Sequence, residues 1–69
     1  MFKYVLLIEN AYGLEVHAVY TSGRERSFES YDKGNRDLPN WVRLEELECY
    51  KTRDEEYYIA TWWRPKKDH

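Results

Sequence analysis

The chain has 69 residues, enough for one domain and too few for two. Eleven basic residues against thirteen acidic ones leave a formal charge of −2, without the basic excess of a protein held to nucleic acid by charge alone. Cys49 is the only cysteine, which excludes an intrachain disulfide framework and points to a reducing, cytoplasmic setting.

Leu, Ile, Val and Phe number 14 in all, close to the content at which chains fail to fold. The twelve aromatic residues reverse that expectation. Each large ring removes roughly 150–250 Å² from water when enclosed, and disordered chains are poor in them. The core is therefore expected to be aromatic-rich, with tyrosine hydroxyls at its rim. The opening Met1–Glu9 carries five uninterrupted apolar residues after Lys3. That is far below the ~20 needed to cross a bilayer, and no small-residue cleavage site follows, so neither a membrane anchor nor a signal peptide is expected.

In chain order, Phe2–Glu9 reads as a strand with Tyr4, Leu6 and Ile8 on one face and Val5 and Leu7 on the other. Apolar residues on both faces predict a central strand covered at least partly on both sides. Asn10–Gly13 carries turn chemistry, and Leu14–Thr21 alternates again, completing an antiparallel hairpin. Ser22–Glu25 is a turn. Arg26–Tyr31 is a short edge strand that points Phe28 inward, and 32–37 is an exposed loop.

Leu38-Pro39 opens a different pattern. Pro39 suits a first helical position, and Trp41, Leu44 and Leu47 recur at a spacing of three, which predicts a helix over Pro39–Glu48. The acids Glu45, Glu46 and Glu48 crowd the C-terminal half, against the helix dipole. The competing reading is a strand from Trp41 to Thr52 that bulges at Glu45-Glu46. A second hairpin follows, turning at Arg53–Glu56 into the strand Tyr57–Arg64, which Pro65 stops. Residues 65–69 form a frayed polar tail. These elements predict a single α+β domain over 1–69, an antiparallel sheet of four to five strands with one short helix on a face. A small all-β barrel is the alternative if the helix is absent.

Metal binding lacks a ligand pattern, since Cys49, His17 and His69 show no paired spacing, and no metal or cofactor is expected. A Cys49–His17 pair would need an electropositive setting that Glu48 opposes. The carboxylates Glu45, Glu46, Glu48, Asp54, Glu55 and Glu56 lie in polar runs that read as a solvated face. Gly13, Gly23 and Gly34 stand in separate turns, so no phosphate cradle is present. The expectation is a protein that is not an enzyme.

Tyr57–Arg64 holds four of the twelve aromatics. If Ile59 marks the core face, Tyr57 and Trp63 point inward, and Tyr58, Trp62 and Arg64 form an outward stripe. Trp, Tyr and Arg are the residue types most enriched at interface hot spots. The rival reading is a second core layer over that stripe, which Val5 and Leu7 would share. The expected function is a stand-alone protein-binding module. It would occupy a partner's surface as a small inhibitor or adaptor does, a size common among phage and mobile-element accessory proteins. The expected contacts are Tyr58, Trp62 and Arg64, with Asp54, Glu55 and Glu56 at the rim. The alternative is single-stranded nucleic-acid binding by base stacking on the sheet aromatics, aided by Arg64, Lys66 and Lys67. A homodimer through an edge strand or the aromatic face is a third arrangement, and no membrane partner is expected.

Overall fold

The computed structural model describes residues 1–32 and 34–67. Five strands, β1 (Phe2–Asn10), β2 (Leu14–Tyr20), β3 (Glu25–Ser30), β4 (Leu47–Asp54) and β5 (Tyr58–Pro65), form one antiparallel sheet in the order β3-β2-β1-β5-β4. The sheet is open, with β3 and β4 as its edges, so the barrel alternative does not hold. β1, the strand that is apolar on both faces, takes the centre. No described helix is long and apolar enough to cross a membrane.

The turns follow from local chemistry. Asn10 Oδ1 accepts the N–H groups of Tyr12 (2.7 Å) and Gly13 (2.9 Å), which folds the chain back into β2. Gly13 is required by close approach: a Cβ there would lie 1.9 Å from the carbonyl oxygen of Ser30. Gly23, at φ +88°, closes the β2–β3 turn in a conformation that other residues rarely adopt, and its N–H donates to Tyr20 O at 2.9 Å.

The predicted helix over 39–48 is absent, which corrects the α+β expectation. A turn at Pro39–Val42 and a single 3-10 turn at Leu44–Glu46 stand in its place, and Leu47 already pairs with Pro65. The competing strand reading is right from Leu47 onward, but the irregularity falls between Cys49 and Lys51 rather than at Glu45-Glu46. Two causes combine. The acids of this segment oppose a helix dipole at that end. A period of three in apolar residues also suits an irregular segment laid across a sheet, and β5 offers β4 a full ladder of backbone partners.

The segment 34–46 crosses toward the β4 edge and lays Leu38, Trp41, Val42 and Leu44 over one face of the sheet. Val5, Leu7, Leu14, Val16, Ala18 and Leu47 are buried with Val42 beneath it, and Val5 retains 0% exposure. Phe28 and Trp63 border this core, as their strand phases predict. Phe2 closes one end, 4.8 Å from the Tyr20 ring and 6.3 Å from Trp41, while the Arg26 guanidinium stands 4.7 Å over Trp41. The other end is less covered. Tyr57 and Ile59, expected inward, are 80% and 45% exposed. Ile59 has the right phase, but it lies between Glu9 and Asp54, beyond the apolar part of the crossover. Lys66 of the predicted frayed tail donates its N–H to Glu46 O at 3.1 Å, whereas Asp68 and His69 lie outside the described residues.

Candidate functional site: the open face of the sheet

Among the described residues, a single crossover covers a single face. Strand alternation puts Tyr4, Leu6 and Ile8 of β1 on the other side, together with His17 and Val19 of β2 and Trp62 of β5. These side chains shield one another and are only half-buried, in contrast to Val5 and Leu7 on the covered side. The expectation that β1 is covered on both faces is thus met on one. An open trough of about 610 Å³ runs along the uncovered side, lined among others by Tyr4, Leu6, Ile8, His17 and Val19.

Trp62 sits near the middle of this face, opposite Leu6 on one side and Lys51 on the other. The Lys51 ammonium stands 4.8 Å from the centroid of this half-buried ring, which keeps a cation over its face. The irregularity between Cys49 and Lys51 leaves Tyr50 without a register partner. Tyr50 turns toward Arg64, whose guanidinium lies 5.2 Å from the Tyr50 ring. Arg64 Nε also donates to Glu48 Oε1 at 2.9 Å, so its charge is matched within the sheet.

The six sequence-predicted contacts form two groups. Trp62 and Arg64 lie together near Tyr50 and Lys51. Tyr58, 39% exposed and opposite Asn10, lies on the same face four residues before Trp62 and six before Arg64, roughly 13 and 20 Å away at the strand rise. Asp54, Glu55 and Glu56 are exposed around the β4–β5 turn, beside Tyr58 and away from Arg64. Glu55 accepts from Arg53 Nε at 3.0 Å, and its N–H donates to Tyr58 O at 2.9 Å, so part of the acidic group serves the turn itself. The acids border Tyr58 rather than ringing the stripe. Sequence reasoning did not attach Tyr4, Leu6, Ile8, Val19, Tyr50 and Lys51 to the site. The available signal was a central strand apolar on both faces in a chain with one segment free to cover it.

Cys49 and His17 are not brought together. Cys49 pairs with Trp63 on the covered face at the β4 edge, and its thiol is within 3.6 Å of the Thr52 hydroxyl. His17 lies on the open face of β2, 3.3 Å from Glu15 Oε1, with β1 and β5 in between. At the β3 end, the Tyr31 phenol is held above its ordinary value by partial burial and by the carboxylates of Glu15 and Glu29. Tyr31 is 57% exposed, so solvent screens its interaction with the two carboxylates, which are the groups a substitution can test. Chemically, the face offers an apolar and aromatic centre with charged groups confined to its margins.

Comparison with protein-family models, with curated proteins and with solved structures finds no match to this chain.

Proposed function

We propose that the chain is a protein-binding module that docks a partner protein on the open face of its sheet, acting as a small inhibitor or adaptor acts, by occupying surface. The observation that supports this reading is the state of the central strand. Leu6 and Ile8 of β1, with Trp62 beside them, are left half-buried because, among the described residues, the crossover lies on the opposite side. A contiguous apolar patch with a polar margin is the usual mark of an interaction surface. Trp62 and Tyr58 supply rigid contact area at low entropic cost.

Nucleic-acid stacking ranks second. Arg64 is matched by Glu48, and the β2–β3 side of the face carries Glu15, Glu25 and Glu29, which would repel a phosphate backbone.

Capture from lysate of the native cell tests the reading, with Trp62→Ala and Leu6→Arg as variants and circular dichroism as the folding check. A hot-spot tryptophan contributes on the order of 2 kcal/mol or more, about thirtyfold in affinity, so either variant should lose a captured protein while staying folded. Undiminished capture by both folded variants would remove the open face from the interaction.

A further inference from the structure

Charge on the open face is polarised across the strands. Its β4–β5 side carries Lys51, Arg53 and Arg64, partly matched by Glu48 and Glu55. Its β2–β3 side carries Glu15, Glu25 and Glu29 beside His17, while the Arg26 guanidinium of β3 is held over Trp41 on the covered side. Between them the midline is uncharged: Tyr4, Leu6 and Ile8 of β1.

Ladder registers place these groups in rows. Ser27, His17, Leu6, Trp62 and Lys51 form one row, and Glu29, Glu15, Ile8, Ala60 and Arg53 form the next. A two-fold axis lying in the face and running along β1 superposes the midline on itself. It also brings the β4 edge of one copy over the β3 edge of the other. Along the first row Leu6 then meets Leu6, and Trp62 meets His17. Along the second, Ile8 meets Ile8, and Arg53 meets the partner's Glu29 twice, once on each side. At the Tyr4 end, Glu25 falls over the partner's Glu48, whose charge Arg64 matches at 2.9 Å, so this row adds no attraction. A two-fold axis perpendicular to the strands through the Leu6 row would instead stack β4 on β4 and β3 on β3, opposing Glu25 to Glu29 and Lys51 to itself, with Arg53 over Glu48.

We infer that the occupant of the open face is a second copy of this chain, packed sheet on sheet about an axis parallel to β1. This rests on the reading of that face as a protein-docking surface and names the partner. Two sheets packed face to face keep their strands within about 30°, which such an axis permits. Five strands spaced by about 4.8 Å, with roughly 20 Å of each in the ladder, give a face on the order of 400–500 Å² in flat projection. That is a little over half of the roughly 800 Å² per partner of a standard interface, the size range of weak, reversible association.

Sedimentation equilibrium over a wide concentration range, with the variants Glu29→Lys and Arg53→Glu, tests the inference. Both residues are exposed on edge strands, and circular dichroism confirms that each variant folds. The native chain should dimerise. Each variant alone opposes like charges at two symmetry-related places and should dimerise at least about tenfold more weakly. An equimolar mixture should recover the dimer, because both cross-pairs are then complementary. A native chain that stays monomeric at high concentration overturns the inference, and so does a dimer indifferent to both variants, which would indicate edge pairing through β4. If the native chain is monomeric but Trp62→Ala still abolishes capture of another protein, the second copy fails as occupant and the docking reading stands. If the charge-swapped mixture recovers the dimer, the inference holds whatever else the face binds.

Discussion

Two adjacent tryptophans provide a sharp test of the one-sided sheet. Trp63 stands opposite Val5 and Cys49, borders the buried cluster, and donates its indole N–H to Thr61 Oγ1 at 3.1 Å. Replacing a core aromatic by Ala costs about 3–5 kcal/mol, and Trp63 is only half-buried, so about 2–4 kcal/mol is expected. Trp62, one residue earlier, loses a cross-strand pair with Leu6, worth roughly 0.2–1 kcal/mol, and the Lys51 cation, worth roughly 0.5–1 kcal/mol. Trp62→Ala should therefore cost about 1–2 kcal/mol. At 0.05–0.15 kcal/mol per residue, a chain of this length has about 3–10 kcal/mol in all. Trp62→Ala should then stay folded with a Tm lowered by about 4–8 °C per kcal/mol, whereas Trp63→Ala approaches global unfolding. Thermal and urea unfolding by circular dichroism, in samples dilute enough to be monomeric, give both numbers. Equal losses for the two variants under those conditions would show Trp62 to be enclosed and would refute the open face.

Further consequences can be checked by similar means. Gly13→Ala forces a Cβ against the Ser30 carbonyl at 1.9 Å and should destabilise the chain by about 1–3 kcal/mol, while Gly34→Ala, with nothing within 4 Å, should change little. A urea midpoint that moves equally for both would remove the close approach. Tyr31 is held above its ordinary value of 10.0, so its neutral form is favoured in the folded chain. Its contribution to stability is intact below that value and is lost as pH rises through the raised one. Glu29→Gln should move the Tyr31 ring titration, followed by nuclear magnetic resonance, back toward the ordinary value. An unmoved titration would exclude the carboxylate as a cause.

Much of the sheet was legible because period-two alternation and turn residues are local signals. The first hairpin, the edge position of β3 and the strand after the acidic turn all follow from runs of a few residues. So does the phase of β5, which places Ile59 and Trp63 on one side and Tyr58, Trp62 and Arg64 on the other. The crossover was not legible. Trp41, Leu44 and Leu47 at a spacing of three satisfy a helix and an irregular covering segment equally, and only the backbone partners offered by β5 favour the second. The site was half legible: Tyr58, Trp62 and Arg64 were placed on one face, but the acidic turn was not separated from Arg64, nor was the β1 stripe joined to Trp62.

By itself, then, the sequence determined which residues share a face, since a strand allows only two directions for a side chain. Only the tertiary structure decided which face the crossover would cover, because Val5 and Leu7 compete with Leu6 and Ile8 on nearly equal apolar terms. The crossover buries Val5, Leu7 and Leu14 under Leu38, Trp41 and Val42. With one such segment among the described residues, the other face of β1, and with it Trp62, stays only half-buried.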